Sequence, residues 1–445
     1  MSSELALFGG PKAMTASEEE KVAMVHWPII TKEDEDAVLE VLRAGSMSKT
    51  DVTVKFEEEF AKWNGVKYAQ VFNNGTSALL AAMFACHIGF GDEIIGPSVT
   101  YWASAIPAYS LGATFVFADI DPQTLCIDPA DIEKRISPRT KAIMVVHYSA
   151  HPSDMDGIMA VAKKHNLKVI EDVSHAQGGY YKGRKLGTFG DVSAMSLMSG
   201  KSLPIGEGGI LVTDDLECYE RAIAAGHYDR FDSRIKTESL KSLVGLPLLG
   251  FKGRLNQMSS AVGRVQLKYN DERTAEIRKA INYFWDLLEG IPGIRPHRVN
   301  EAEKSNMAGW YAAHGLYRPE ELDGLSVTRF CQAVSEEGVQ SLPGCSTPLH
   351  THPLFKTADI YNQGKPTRIS NASRDVREFD DLPVSNVIES RCFTIPWLKH
   401  YKPELIKQYA EAFKKVAFNY RELLKDDPGD PAMIGGWSTY TRLGT

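Results

Sequence analysis

The chain has 445 residues, is 43% hydrophobic and 24% charged, and carries a net charge of −7 at pH 7, which supports a substantial core spread over two or three domains. That acidic balance leaves no basic footprint for nucleic acid and makes anionic membranes poor partners. Cys86, Cys126, Cys218, Cys331, Cys345 and Cys392 lie far apart with no CxxC pair, so they read as reduced, buried thiols with no zinc or other metal expected.

The opening MSSELALFGGPKAMTASEEEK lacks a basic segment followed by a long apolar run, so no signal peptide is visible. The fully apolar run Ala78–Cys86 is too short to span a bilayer, and a cytoplasmic location is the expectation. Residues 1–25 read as an N-terminal arm, 26–270 as a large domain, 271–425 as a small C-terminal domain and 426–445 as an irregular Gly/Pro-rich tail. Within the large domain the apolar runs YAQVF, DEIIG, TFVFAD, KAIMVVH, LKVIED, DVSAMSL and GGILVT alternate with helical patterns such as TSALLAAMFACHI and MDGIMAVAKKHN. The fold class is therefore α/β, a three-layer domain around a mainly parallel sheet. QMSSAVGRVQLKYNDERTAEIRKAINYFWDLLEGIPG predicts one long helix ending at a Gly/Pro stop. WYAAHGLY and RCFTIPWL then read as strands, and SVTRFCQAVSEEG and ELIKQYAEAFKKVAFNYRELL as helices, of a smaller α+β domain.

Three stretches carry chemistry. In VFNNGTSALLAAM a strand runs through a turn at Gly75 into a helix opening at Thr76 and Ser77, whose free N–H groups suit a phosphate; an ordinary capped turn is the alternative. In KVIEDVSHAQGG, Glu171 and Asp172 close a strand at the edge where open α/β sheets bind ligands. Asp172 there suits a protonated ring nitrogen, or simply caps the next turn. In SLMSGKSLPIGEGGILVTDD, Lys201 sits among small residues before a glycine-rich bend, as a nucleophilic lysine or as a strand-end surface charge. Phosphate anchorage, a carboxylate and a Schiff-base lysine are together what pyridoxal 5′-phosphate requires. His147, at a strand end on the same edge, is either a cofactor or substrate contact or a satisfied core histidine. His350 and His352 in PLHTHPLF are either a substrate-side loop or plain loop, and Trp102 reads as core.

These residues resemble the DegT/DnrJ/EryC1/StrS group of pyridoxal-phosphate aminotransferases. The likeness rests on NNGTSAL, GDEIIGPSVTYWASA, DIDPQTLCIDPADIEKRI, HPSDMDGIMAVAKKHNLKVIEDVSHAQGGYYKGRKLGTFGD, GKSLPIGEGGILVTDD and GFKGRLNQMSSAVGRVQL. LALFGGPKA, WPIITKEDEDAVLEVLRAG and PLHTHPLF look most like the branch of scyllo-inosose aminotransferases and 3-amino-5-hydroxybenzoate synthases. The resemblance implies fold type I, with Lys201 as the Schiff-base lysine and Asp172 on the pyridinium nitrogen. It places Gly75, Thr76 and Ser196 on the phosphate, Tyr101 on the ring face and His175 near the phenolic oxygen. Lys252 falls in a loop that in the family reaches the phosphate of the neighbouring subunit, implying a homodimer with shared active sites.

The activity implied is transfer of an amino group from L-glutamate or L-glutamine to a keto group of a cyclitol or nucleotide sugar. Sugar-dehydrating relatives replace the lysine with histidine; here lysine stays, which favours transamination. An aromatising elimination is compatible with Lys201, and a catalytically idle coenzyme-binding regulator is the rival of another class. Leu197 and Gly253 stand where aromatic residues are common in the family, which bears on substrate fit and phosphate geometry.

Overall fold

The computed structural model describes residues 4–436; residues 437–445 of the tail expected to be irregular lie outside them, as do residues 1–3. Helices Glu18–Val25, Lys32–Arg43 and Asp51–Asn64 precede the first strand. In chain order the strands are β1 (Tyr68–Phe72), β2 (Glu93–Pro97), β3 (Thr114–Ala118), β4 (Thr140–Val146), β5 (Lys168–Asp172), a short hairpin β6 (Tyr180–Tyr181) and β7 (Arg184–Lys185), then β8 (Val192–Ser196) and β9 (Gly209–Thr213). Apart from the hairpin they form one seven-stranded sheet in the order β1-β9-β8-β5-β4-β2-β3. Strand β9 runs antiparallel to both its neighbours, while β8, β5, β4, β2 and β3 pair in parallel.

Alternating side chains explain the three layers. Ile94, Phe115, Phe117 and Met144 face the cluster that includes helix Gly75–Ala85. Their neighbours Ile95, Val116, Ile143 and Val145 face Ile132, Met155 and Ile158 on the helices of the other side. With both faces covered, β2, β3 and β9 are buried at every position.

The long helix Gln257–Leu287 starts at Asn256, whose side chain accepts from Ser259 N. It runs without a break past position 270, where the large domain was expected to end. Beyond it a second, antiparallel sheet has the order β10 (Ile294–Pro296), β11 (His314–Tyr317) and β12 (Cys392–Thr394). Helices Val327–Glu336 and Pro403–Phe418 cover it through Phe330 and Phe413, which pack on Phe393.

Two expectations need correction here. WYAAHGLY is a strand only over His314–Tyr317, because Ala308, Trp310 and Ala312 have φ of 45°, 52° and 53°, a conformation that cannot extend a ladder. And the stretch between Cys345 and Arg391 belongs as much to the large sheet as to the small one. Leu349, Phe355, Leu382 and Ile388 share a core with Phe115 and Phe117, and the buried Arg368 lies over Phe117 while paired with Asp380 at 2.9 Å. Among the described residues no helix is long and apolar enough to cross a membrane.

Candidate active site

The turns that leave β1, β2, β4, β5 and β8 open at one edge of the sheet, and the residues singled out from the sequence gather there. Helix Gly75–Ala85 is capped by Asn74, whose Oδ1 accepts from Ser77 N at 2.8 Å. The helix thus begins one residue before the expected Thr76. Thr76 is exposed, while Gly75 is buried against Ser196: a Cβ at position 75 would lie 2.7 Å from Ser196 Cβ and 2.8 Å from its Cα. The helix N-terminus and the end of β8 therefore form one cradle, with the Ser196 hydroxyl at its rim. The segment holding Lys252 borders it. Gly253 O accepts from Asn73 N at 2.7 Å, and Lys252 is exposed. Glycine at 253 has a steric reason, since a Cβ would stand 2.5 Å from Phe72 Cδ1. Leu197 is likewise a core residue, fully buried.

Glu171 and Asp172 point to opposite faces of β5 and do different things. Glu171 accepts from His147 Nε2, the N–H groups of Gly187, Phe189 and Gly190, and the Ser193 hydroxyl. Burial alone would raise its pKa, but these donors, His147 first, hold it below the ordinary carboxylate value. Asp172 is 5% exposed and accepts from Ser104 Oγ at 2.8 Å and Ser174 N at 3.1 Å. Ser104 and Ser174 were not foreseen; serine is too common a residue to signal itself, although Ser104 lies within the PSVTYWASA stretch.

Lys201 sits in the loop between the antiparallel strands β8 and β9, which bends back at Gly206 with φ of 93°, a value suited to glycine. The lysine is 7% exposed, and desolvation pulls its amine down to about 7 even though Asp172 acts in the other direction. Its carbonyl accepts from Trp27 Nε1 at 2.9 Å, and its Nζ lies 3.9 Å from the centroid of the Tyr311 ring. Tyr311 packs in turn on His175, centroid to centroid 4.5 Å. His175 Nδ1 accepts from Ser149 N at 3.3 Å. Burial, then the Lys201 charge and His314, hold its imidazole well below its ordinary pKa. A neutral ring that accepts at Nδ1 carries its proton on Nε2 and can donate there.

The remaining candidates divide. Tyr101 is 44% exposed, its ring 5.5 Å from Trp102, and Trp102 meets His352 edge to face at 5.8 Å. Trp102 is half-buried, a correction to its reading as core, because it falls in the short 3₁₀ turn after β2 and not in an extended segment. His147 is fully buried with Nε2 on Glu171 and Nδ1 accepting from Ser153 N; both nitrogens are used inside the core, leaving none for a substrate. His350 is 4% exposed with Nε2 2.9 Å from Asn386 Oδ1, while His352 Nδ1 accepts from Leu354 N at the start of a short helix. Trp27, Tyr311 and Trp397 were missed altogether. Trp27 follows the arm, Tyr311 precedes β11 and Trp397 follows β12, and no spacing pattern ties them to Lys201.

The chain is similar to known aminotransferases. The chain is 36% identical over 333 residues to GDP-perosamine synthase of Caulobacter vibrioides, covering 74% of this chain and 85% of that protein. It is 30% identical over 416 residues to L-glutamine:2-deoxy-scyllo-inosose aminotransferase of Micromonospora echinospora, covering 89% and 95%. Among solved structures, 3-amino-5-hydroxybenzoic acid synthase superimposes with a TM-score of 0.75 at 25% identity over 89% of this chain and 98% of that one, so the fold is that of the type I aminotransferases. With residues 28–414 matching the profile of that family, the chain belongs to the DegT/DnrJ/EryC1/StrS aminotransferases.

Proposed function

We propose that this aminotransferase uses pyridoxal 5′-phosphate to move an amino group from L-glutamine or L-glutamate to a keto group of a cyclitol or keto sugar. The observation that carries the reading is the convergence, at one sheet edge, of a dry lysine whose amine lies at about 7, a buried carboxylate, and a helix N-terminus closed tightly by Ser196. The fit to the coenzyme is one of chemistry. When bound, it supplies an aldehyde that captures amines covalently and a protonated ring that draws off electrons.

The chain's own residues do the rest. Gly75 and Thr76 N–H groups, with the Ser196 hydroxyl, are suited to hold the phosphate. Asp172, fixed by Ser104 and Ser174, is oriented to receive the ring N–H. The exposed face of Tyr101 offers a flat support, and Nε2–H of His175 is a donor for an anionic oxygen. Lys201 would hold the coenzyme's aldehyde, and its Nζ is suited to hold and return a proton. An amine near neutrality does both efficiently.

Cyclitols are the favoured acceptors because the likeness to the scyllo-inosose enzyme covers 89% of this chain, against 74% for GDP-perosamine synthase, although the latter is the more identical of the two. Likeness to 3-amino-5-hydroxybenzoic acid synthase keeps an aromatising elimination as the second reading. The working unit is taken to be a homodimer with Lys252 serving the neighbouring site. All six cysteines are free and buried, which suits the reducing cytoplasm as the location.

Borohydride reduction followed by peptide mass mapping tests the coenzyme, and the expected result is an adduct on Lys201. Incubation with L-glutamine and scyllo-inosose, a keto-sugar nucleotide or an aminodehydroshikimate tests the reaction. Amino transfer to the first is expected, and none to any of the three overturns the proposal.

A further inference from the structure

Tyr311 lies outside every motif that suggested the site, yet its ring lies against the Lys201 amine. Nζ stands 3.9 Å from the ring centroid, well within the range in which the negative face of an aromatic ring attracts a cation. Both partners of this contact are anchored. Trp27 Nε1 holds the Lys201 carbonyl at 2.9 Å. Trp397 meets Tyr311 edge to face, 5.4 Å between centroids at 90°, and its Nε1 donates to Gly309 O at 2.8 Å. The backbone around Tyr311 is itself unusual, with Ala308, Trp310 and Ala312 all at positive φ. Such conformations persist only where the surroundings enforce them, and they gather at functional sites.

We propose that Tyr311 is a positioning residue for Lys201, its ring face seating the amine as an ammonium whenever it takes up a proton, so that the lysine can serve as acid as well as base. The catalytic meaning rests on the reading of Lys201 given above; the effect of the ring on the amine does not.

The electrostatic setting makes the contact consequential. Burial drives the amine toward neutrality, with Asp172 as the opposing charge, and a desolvated cation gains more from a ring face than an exposed one. Among the described residues the Lys201 charge also bears on His175, which burial holds well below its ordinary pKa, and His314, lowered to about 4 by burial, acts on His175 in turn. Lys399, also deprived of its usual basicity by burial, lies over Trp397 and Trp27.

The test uses the full-length, coenzyme-free protein and reads the pKa of Lys201 from the pH dependence of competitive amine labelling, quantified on the peptide that contains it. Tyr311→Phe keeps the ring face and is expected to leave the pKa at about 7. Difluoro- and trifluorophenylalanine at the same position drain the ring face at nearly constant size. With them the pKa is expected to fall stepwise, by about one unit in total, and Tyr311→Leu to fall at least as far.

A flat series overturns the proposal, as does Tyr311→Phe falling as far as Tyr311→Leu, which would assign the effect to the hydroxyl. The fluorinated series stays informative even if the leucine variant fails to fold. A flat series beside borohydride-labelled Lys201 removes the role of the ring and leaves the coenzyme reading standing. A graded series without labelling retains the ring's effect and removes the coenzyme.

Discussion

At the residue scale the site is decided by what surrounds one amine. In the unfolded chain Lys201 titrates near 10.5, and in the folded protein at about 7. Between those values the unfolded chain binds more protons, so stability rises with pH across the window and the cost of burying the amine is felt in full below it. Lys201→Met removes that cost. In coenzyme-free protein the variant is expected to melt higher than the wild type, with a larger gap at about pH 6.5 than at about pH 9.5. Equal gaps at both pH values would mean that the amine is not deprotonated on folding. The neighbours Glu171 and Asp172 show the same principle of surroundings over identity. Glu171 is spent on five donors of the scaffold, whereas Asp172 keeps its place at the edge with two.

On the proposed reading, the element that holds the coenzyme's phosphate is the turn from β1 into helix Gly75–Ala85. Its N-terminus can hold a phosphate only because the backbone at 75 lies against Ser196, and Gly209 is packed just as closely, its would-be Cβ 2.3 Å from Asn74 O. Gly75→Ala must push β8 and the helix apart. Overpacking of this kind costs about 1–3 kcal/mol of fold stability, and moving the helix N-terminus off the phosphate at a loss of even about 1.4 kcal/mol of interaction weakens coenzyme binding about tenfold. Spectroscopic titration with the coenzyme, set beside a melting curve, should show weaker binding together with a lower melting temperature. A variant that binds as well as the wild type would exclude this cradle as the anchor.

For the whole molecule, the arm and the second sheet close the site that the large sheet opens. Glu337, fully buried, accepts from Ala6 N, Ala13 N and the Lys415 ammonium, which fixes the arm on the helices that cover the second sheet. The segment just after the arm delivers Trp27 to the Lys201 loop. One apolar cluster runs through all three parts, from Leu5 and Met24 through Leu197 to Phe393 and Phe413. If Lys252 serves a neighbouring copy, inactive Lys201→Ala and Lys252→Ala proteins should complement when unfolded and refolded together. Half of the dimers are then mixed, each with one intact site, and about a quarter of wild-type activity is expected to return. No recovery in refolded mixtures of confirmed mixed dimers would place Lys252 with the cradle of its own chain.

How much of this was legible in the sequence follows from the range of the forces involved. Strand alternation, strand-to-helix turns and the glycines at 75 and 206 are local, so they write themselves into short stretches; the mainly parallel sheet and the gathering of Gly75, Asp172 and Lys201 at one edge could be read from those alone. The family likeness added Tyr101, His175, Ser196 and Lys252 as candidates. The sequence could not tell a satisfied histidine from a reactive one, because His147 is settled by a carboxylate on the next strand and by Ser153. Nor could it show that residues 345–391 return to the large sheet, or that Trp27, Tyr311 and Trp397 meet around Lys201. Those contacts join segments far apart in the chain, 174 residues for Trp27 and Lys201, and the dryness that sets the lysine's basicity exists only once they have closed over it.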